Sequence, residues 1–486
     1  MATLDSLRFN NRFSRLPEAL FTPVTPTGFR HPHLVAFNPD VAALIGLDPE
    51  CARNPDFAQY FGGSKQLPGS APLAMKYTGH QFGVYNPDLG DGRGMLLGEV
   101  VNDQGETWDL HLKGAGQTPY SRFGDGRAVL RSCIREYLGS EAMHALGIPT
   151  TRALCIVGSD EPVQREVRET GAMLLRVADT HIRFGHLEWL HHSKQRDLHK
   201  TLVDFILEQH FPSCLEDSDP YGAFFREVVR RTAQLMARWQ LVGFAHGVMN
   251  TDNFSITGMT FDYGPFGFLD AYEPGYICNH SDHHGRYAWN QQPSIGLWNL
   301  NALAHALSGL IGHDVLVDAL HRYQPELLAT YSRGLADKLG LRDEQSGDRE
   351  LTVDFLDLLA RSGADYTRSF RALSSIRVTD ETSPLRDDYV DRDGFDAWHR
   401  RYRDRLIKEG SDDRERQARM DAVNPKYILR NYLAQQAIEK AQAGDFTEIE
   451  TLRQLLNRPF DEQPEYEHYA ALPPDWGRHL EISCSS

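Results

Sequence analysis

The chain has 486 residues, with 51 lysines and arginines against 67 aspartates and glutamates, so its formal net charge is −16. This acidity disfavours non-specific adhesion to nucleic acid or to an anionic membrane, and we expect neither as a partner. The length exceeds the size at which one hydrophobic core usually keeps growing, and 41% hydrophobic residues allow a substantial core, so two lobes or domains are expected.

The sequence also bears on the cellular compartment. No segment approaches the length of about eighteen apolar residues that a membrane-spanning helix needs, and the opening MATLDSLRFNNRFSRLPEAL has no apolar core like that of a secretory signal. Six cysteines are scattered without a CxxC pair, which argues against a zinc ribbon and against a disulfide scaffold. We therefore expect a cytoplasmic protein without a membrane partner, and we expect it to be a monomer.

The amino-acid composition of the chain changes near residue 75. Residues 1–75 are rich in Pro and Phe and are predicted to be an extension that wraps a larger body. Residues 76–180 are rich in Gly, and two β-type runs at 95–101 and 107–114 flank the turn signal NDQGE, which predicts an antiparallel hairpin. A helical pattern and two further runs, at 153–158 and 171–178, complete a small α+β lobe that we expect to bind a nucleotide.

Helical patterns dominate after about residue 181. The clearest are DLHKTLVDFILEQ, AFFREVVRRTAQLMARWQLVG, SIGLWNLNALAHALSGLIG and NPKYILRNYLAQQAIEKAQAG. The densely charged stretch 379–423 is predicted to be a solvated connector or a set of exposed helices. The prediction is an α+β fold with a β-rich lobe at 76–180, a larger helical catalytic lobe at 181–420 and a C-terminal helical extension at 421–486.

A glycine-rich loop opens the β-rich lobe. Gly90, Gly92 and Gly94 alternate in NPDLGDGRG immediately before a predicted strand, and glycines let backbone amides approach an anion closely. Lys113 ends the second strand of the hairpin, and Glu136 lies on the following predicted helix. The order of glycine loop, strand with lysine and helix with glutamate matches the small lobe of protein kinases, although each element alone is commonplace.

The segment 246–264, HGVMNTDNFSITGMTFDYG, resembles a kinase catalytic loop followed by a metal-binding loop. Asn253 follows His246 at the spacing of the kinase metal-binding asparagine, and Asp262 opens an Asp-Tyr-Gly variant of the metal loop. Oxygen ligands of this kind suit a hard divalent cation. Val248 occupies the position of the kinase aspartate that accepts a proton, and Asp252 is the only carboxylate inside the loop. These residues by themselves indicate a divalent metal and a nucleotide phosphate.

Histidine-rich segments are weaker candidates for a site. NHSDHHG at 279–285 and EWLHH at 188–192 contain residues that can bind transition metals, but neither has the HExxH pattern of a zinc protease. There is no GxSxG motif of a serine hydrolase.

Longer motifs resemble one particular family, selenoprotein O, over nearly the whole chain. They are LGDGRG (89–94), HLKGAGQTPYSRFGDGRAVLRSCIREYL (111–138), LLRVADTHIRFGH (174–186), HGVMNTDNFSITG (246–258), FDYGPFGFLD (261–270) and the terminal CSS. Some members of that family carry selenocysteine where Cys484 stands here. The resemblance implies a protein-kinase-like, two-lobed pseudokinase that binds ATP in a reversed orientation and transfers AMP to Ser, Thr or Tyr hydroxyls of proteins, releasing pyrophosphate.

The resemblance also implies roles for individual residues. Asp252 would be the catalytic base, and Asn253 and Asp262 would bind Mg²⁺ or Mn²⁺. The nucleotide site would comprise Gly90, Gly92, Arg93, Lys113, Asp125, Gly126, Arg176, Arg183 and Asp262. Guanidinium groups at positions 176 and 183 suit a pyrophosphate leaving group, because they bind phosphate oxygens bidentately and stay charged.

Two alternative functions remain open at this point. One is an atypical kinase-like phosphotransferase, and the other is a non-catalytic ATP-binding scaffold, which the missing kinase aspartate favours. We also hypothesise that Cys484 forms a regulatory disulfide with Cys278, because both lie in predicted loops.

Overall fold

The computed structural model describes residues 1–482. Its strands are β1 (Phe21–Pro23), β2 (His33–Phe37), β3 (Leu73–Met75), β4 (Gly79–Gln81), β5 (Val84–Asn86), β6 (Gly94–Val101), β7 (Thr107–Lys113), β8 (Ala128–Val129), β9 (Arg152–Gln164), β10 (Arg168–Ala178), β11 (Phe244–Ala245) and β12 (Gly267–Phe268). Its first seven helices are α1 (Pro39–Leu44), α2 (Phe57–Phe61), α3 (Leu130–Ala145), α4 (Phe184–His192), α5 (Arg196–His210), α6 (Pro220–Leu241) and α7 (Gln292–Leu307). The later helices are α8 (His313–His321), α9 (Tyr323–Lys338), α10 (Asp348–Ser362), α11 (Tyr366–Leu373), α12 (Arg392–Lys408), α13 (Asp413–Asp421), α14 (Asn431–Gln442) and α15 (Thr447–Leu456).

A mixed α/β structure is built around one antiparallel sheet of eight strands. Its order is β1-β3-β6-β7-β10-β9-β2, with β8 paired to β10 off this path. The predicted hairpin is confirmed, because β6 and β7 pair from Gly94 opposite Lys113 to Val101 opposite Thr107. This register places the end of the glycine-rich loop directly across from the lysine.

Both faces of the sheet are covered. Helix α3 packs on one face against β9 and β10, and its buried side includes Ile134 and Tyr137. The other face is covered by N-terminal residues such as Val41 and Phe61. Residues 1–75 also supply β1, β2 and β3 to the sheet, so this segment builds part of the β-rich region as well as wrapping it.

The helical region has α6 at its centre, where it packs against α7, α8 and α9. Three predicted helices correspond to α5, α6 and α7, but the fourth is shorter than predicted, because α14 begins only at Asn431. The preceding NPKYILR segment is not helical: Pro425 cannot donate a backbone hydrogen bond, and the N–H groups of Lys426 and Tyr427 donate instead to the Pro459 carbonyl.

The charged stretch 379–423 forms α12 and α13. It is more than an exposed connector, since α12 buries Phe395, Trp398 and Tyr402 in an aromatic core shared with α10 and α11. In the described part of the chain, no helix combines the length and apolarity needed to cross a bilayer.

Candidate active site

A buried ion-pair cluster joins the sheet to helix α3. Lys113 at the end of β7 donates from Nζ to Glu136 Oε2 at 2.7 Å, and Arg176 on β10 donates to both carboxylate oxygens of the same glutamate. All three side chains are at most 4% exposed. Burial would raise the pKa of Glu136, but Arg176 and Lys113 hold it below its ordinary value. Lys113 and Glu136, whose order in the sequence matches the paired lysine and glutamate of kinases, therefore form an ion pair in the structure.

Asp262 extends this cluster toward the cleft. Arg176 Nη2 donates to Asp262 Oδ1 at 2.8 Å, and Arg183 Nη1 lies 3.9 Å from Asp262 Oδ2. Burial alone would raise the pKa of Asp262, but the positive charges of Arg176, Arg183, Lys113 and Arg93 hold it well below the usual range. The backbone of Asp262 has φ of +63°, a left-handed conformation that is uncommon for a residue other than glycine. The surrounding cations therefore favour the charged form of the Asp262 carboxylate.

Arg183 connects two loops, which are called the catalytic-type loop (246–253) and the metal-type loop (262–264) after the kinase loops they resemble. Its Nη1 donates to the backbone carbonyl of Asp252 at 2.9 Å, and its Nη2 lies 3.6 Å from Asp91 Oδ1. The guanidinium stacks over Tyr77 and Phe261, whose ring centroids lie 4.6 and 4.8 Å away. The sequence analysis did not identify Asp91 as a site residue. Its position between Gly90 and Gly92 is the one feature of the sequence that could have indicated it.

Asp252 has the opposite electrostatic surroundings to Asp262. Burial raises the pKa of the Asp252 carboxyl to about 7, with Arg183 opposing the shift and Asp262 adding to it. In the part of the chain that the structure describes, its Oδ1 is buried and accepts no hydrogen bond, while Oδ2 receives only a long one, 3.4 Å, from Gln81 Nε2. A desolvated carboxylate with a free oxygen is well suited to accept a proton from a bound hydroxyl.

The catalytic-type loop is held in place from both sides. His246 Nε2 lies 3.0 Å from the Phe261 carbonyl, and the ring stacks on Trp239. On the other side, Thr251 Oγ1 donates to Glu188 Oε2 at 2.6 Å and accepts from the His80 N–H at 2.7 Å. Sequence reasoning missed this second support, because residues 80, 188 and 251 have no shared motif.

The glycine-rich loop turns tightly over the end of the sheet. A Cβ on Gly90, whose φ is +136°, would lie 2.6 Å from the Tyr120 ring, and a Cβ on Gly92 would lie 2.9 Å from the Tyr120 carbonyl oxygen. Both positions therefore exclude a side chain. Arg93 contributes positive charge at Asp262.

The loop at 117–127 carries the remaining candidates. Asp125 pairs bidentately with Arg165 at 2.8 and 3.0 Å, which lowers its pKa, and its side chain remains 45% exposed. Gly126 has φ of +70° and its Cβ would lie 2.1 Å from Gly116 backbone atoms. Asp125 is thus exposed and paired with Arg165, whereas Gly126 is buried against the backbone of Gly116.

The residues present fit a hard divalent cation. Among residues 1–482, Asn253 Oδ1 is buried without a hydrogen-bond partner, while its Nδ2 donates to the Val248 carbonyl at 3.0 Å. The Asp262 side chain is 29% exposed. Magnesium commonly takes only one or two protein oxygens and completes its shell with phosphate and water, and these two side chains are of the type it prefers.

Other sequence candidates have no corresponding site in residues 1–482, where no group of three or more His, Cys, Asp or Glu side chains is arranged to hold a metal ion. The structure therefore gives no support for a metal site at the histidine-rich segments 188–192 and 279–285. Cys278 is buried, with Sγ 3.5 Å from the Ala245 carbonyl. Its predicted partner Cys484 lies outside the described residues.

Taken together, the site is a cluster of cations and carboxylates in which Asp262 and Asp252 have contrasting surroundings, as expected of an enzyme that handles nucleotide phosphates. Comparison with known proteins agrees. Residues 3–457 match the family described as "Protein adenylyltransferase SelO". The chain therefore belongs to the SelO family of protein adenylyltransferases, and it is a nucleotidyltransferase.

Individual relatives match over their full length. Proteins named "Protein nucleotidyltransferase YdiU" are 54% identical in Pseudomonas fluorescens (strain SBW25), 56% in Myxococcus xanthus (strain DK1622) and 56% in Aliivibrio salmonicida (strain LFI1238). In each case the similarity covers 100% of this chain and 100% of the relative. The resemblance inferred from the motifs is confirmed, and the interpretation as a non-catalytic scaffold loses its support.

Proposed function

We propose that this protein transfers AMP from ATP to Ser, Thr or Tyr hydroxyl groups of other proteins and releases pyrophosphate. The observation that carries the proposal is the convergence of Arg176 and Arg183 on Asp262, beside the pair of Lys113 and Glu136. A single lysine and glutamate would serve a kinase, whereas the two added buried arginines supply positive charge for a leaving group as anionic as pyrophosphate. The sheet and the helical region correspond, in this proposal, to the two lobes of a kinase-like fold.

Each site residue has a proposed role. Lys113, Arg176 and Arg183 bind the phosphates, and the closely packed glycine loop presents backbone amides to the nucleotide. The rest of the nucleotide site comprises Gly90, Gly92, Arg93, Asp125, Gly126 and Asp262. Asn253 and Asp262 hold Mg²⁺ or Mn²⁺, which supplies charge neutralisation to the phosphate oxygens when bound.

The transfer requires a nucleophile, a base and a leaving group. The acceptor hydroxyl oxygen forms a bond to the α-phosphorus, and the bond from that phosphorus to the bridging oxygen of pyrophosphate breaks. The hydroxyl proton passes to Asp252 Oδ1, a buried oxygen that has no hydrogen-bond partner among residues 1–482. Arg183 fixes the backbone of this residue through its carbonyl, so the base and the phosphate-binding arginine are held in one geometry.

The choice of phosphorus can be tested directly. ATP labelled separately at the α- and γ-phosphates is incubated with the protein and acceptor proteins, and protein-bound label is measured. We expect label only from the α position. Label arriving only from the γ position would establish the alternative phosphotransferase, which the kinase-like order of Lys113, Glu136 and Asp262 favours.

Several further expectations belong to the proposal. They are the domain boundaries near residues 75, 180 and 420, a monomeric state and a cytoplasmic location. None is needed for the chemistry, and each stays a prediction.

A further inference from the structure

A short hairpin lies against the catalytic-type loop. Strands β4 and β5 pair with Gln81 opposite Val84, so Phe82 and Gly83 form a two-residue turn. Their φ angles, +49° and +82°, are those of a type I′ turn, in which both central residues are left-handed. The Phe82 N–H donates to Tyr287 Oη at 2.9 Å and to Asn250 Oδ1 at 3.2 Å. The turn is therefore fixed to the loop that carries Asp252, despite the strained backbone of a bulky residue.

The tip of this hairpin presents apolar side chains to solvent. Phe82 is 43% exposed and Val84 is 70% exposed, although large apolar residues of this chain are mostly buried. Below the turn lies Arg286, close enough that a Cβ on Gly83 would be 3.1 Å from Arg286 Nη2. The Arg286 guanidinium also stacks over Trp298 at 5.0 Å from the ring centroid.

Arg286 differs from the arginines of the nucleotide site in having no carboxylate partner. Arg176 and Arg183 both reach Asp262, whereas among residues 1–482 no carboxylate oxygen lies within ion-pair distance of the Arg286 guanidinium. Its Nε is buried and has no hydrogen-bond partner among the described residues. The Asp282 carboxylate accepts from the Arg286 backbone N–H at 3.0 Å and forms no ion pair with the guanidinium, which also lies 5.8 Å from the Tyr287 ring centroid. In a protein of net charge −16, a guanidinium without an ion-pair partner in residues 1–482, next to exposed apolar side chains, presents a local surface complementary to a carboxylate with an apolar neighbour.

We propose that Phe82, Val84, Arg286 and Trp298 form an acceptor face, which binds an extended segment of the protein substrate and selects hydroxyl groups that have an Asp or Glu nearby in the sequence. This inference rests on the proposed function, since it places the acceptor hydroxyl at Asp252. A segment of this kind gains one charge-assisted pair with Arg286 and apolar contact with Phe82 and Val84.

The spacing between the two charged points follows from the hairpin. Gln81 contacts Asp252, and Gly83, two residues later, contacts Arg286. Two residues span at most about 7 Å even when extended, and less in a turn, so one short substrate segment can reach both positions. We therefore expect the substrate carboxylate within about two or three residues of the hydroxyl.

Synthetic peptides provide the test. Each peptide carries one central Ser, Thr or Tyr, and a single Glu or Lys is placed in turn at every flanking position. Transfer of label from α-labelled ATP is measured for the wild-type protein and for Arg286→Glu. We expect wild type to prefer Glu over Lys by about 3- to 10-fold in kcat/KM at two or three residues from the hydroxyl, and we expect Arg286→Glu to reverse the preference.

Two further variants separate charge from shape. Phe82→Asn removes the ring and keeps a residue that tolerates the left-handed turn, so it should raise KM for all peptides equally while leaving the Glu preference intact. Arg349→Glu, an exposed charge reversal on α10, should behave as wild type.

The outcomes distinguish this inference from the proposed function. Failure of wild type to transfer α-label to any protein or peptide would reject the proposed function itself. Transfer to intact proteins but to no peptide, or an Arg286→Glu variant with the wild-type preference, would overturn the acceptor face alone. A reversed preference supports it.

Discussion

Asp262 and Asp252 lie ten positions apart in the chain and have opposite surroundings in the cleft. Asp262 faces two arginines, and its pKa is held well below the usual range, whereas burial raises the pKa of Asp252 to about 7. The same side chain thus serves two purposes. A carboxylate surrounded by cations keeps its charge and can hold a metal, while a desolvated one gains affinity for a proton.

The difference arises from elements far apart in sequence. Arg176 comes from β10 and Arg183 from the start of α4, and both direct guanidinium nitrogens toward the Asp262 carboxylate. Arg183 reaches Asp252 only through its backbone carbonyl, so it orients the residue without forming an ion pair with the carboxylate. The comparison predicts that the two aspartates respond differently to the same substitution.

The largest effect is expected for Asp262→Asn. Loss of this charge removes the proposed metal ligand and leaves Arg176 and Arg183 facing each other with less compensation, so AMP transfer should fall by about 10³-fold or more. The variant should also unfold at lower denaturant concentration in EDTA. Asp88→Asn, an exposed aspartate beside the glycine loop, is the control and should keep full activity. A variant with more than about a tenth of wild-type activity would contradict the role given to Asp262.

Asp252→Asn should lower kcat by about 10²- to 10³-fold while leaving ATP affinity unchanged, because the base acts only in the transfer step. Its stability should change in the opposite direction to that of Asp262→Asn. Removing a buried carboxyl whose charged form is disfavoured should raise the free energy of unfolding at pH 8 by about 1 kcal/mol or more. Denaturant titrations in EDTA measure this sign, and equal destabilisation by both substitutions would refute the contrast.

Glu136→Gln tests the ion-pair cluster that Glu136 forms with Lys113 and Arg176. Lys113 and Arg176 would lose their shared carboxylate in a buried setting, which should cost about 3 kcal/mol of stability. Added ATP should recover part of the loss, because phosphate oxygens can replace the carboxylate. The matched control is Glu169→Gln, whose partner Arg131 lies nearer the surface and should cost less than about 1 kcal/mol. Equal losses of stability in Glu136→Gln and Glu169→Gln would contradict the larger contribution given to the buried cluster.

Lys338 extends the comparison to a buried cation that forms no ion pair with any carboxylate of residues 1–482. It is 4% exposed on α9, lies over the Phe370 ring at 4.5 Å, and desolvation lowers its pKa to about 7. The unfolded chain binds this proton up to its ordinary pKa of 10.5, so the lysine destabilises the fold most below pH 7 and progressively less as pH rises.

The Lys338→Met variant measures this linkage. Its stability gain over wild type should shrink by about 2 kcal/mol between pH 7.5 and pH 9.5. Lys408→Met, on the surface of α12, should show no such trend. A gain for Lys338→Met that does not vary with pH would place the effect in packing and not in the ionisation of the lysine.

Local signals in the sequence predicted much of the β-rich region. The NDQGE turn between two β-type runs identified the β6 and β7 hairpin, and the order of Lys113 and Glu136 identified a pair that the structure closes at 2.7 Å. Helix α14 was predicted too long, because the periodic pattern continues through Pro425 while tertiary hydrogen bonds hold that segment extended.

The candidate site was only partly accessible to sequence reasoning. The motifs around Asn253 and Asp262 have kinase-like spacing, and this spacing by itself indicated a divalent metal and a nucleotide phosphate. Gln81 and Glu188 share no motif with the catalytic-type loop, and their contacts with it depend on how the β4–β5 hairpin and α4 pack. Arg286 likewise reaches the hairpin only in the folded chain. No local pattern records such contacts.

By itself, the sequence determined which ionisable and glycine residues are available, their order along the chain and the family to which they belong. Only the tertiary structure decided that cations dominate around Asp262 while burial dominates at Asp252, and that no carboxylate of residues 1–482 forms an ion pair with Arg286. The physical reason is that ionisation depends on burial and on charges a few ångströms away. Those neighbours come from strands and helices that the chain brings together only when it folds.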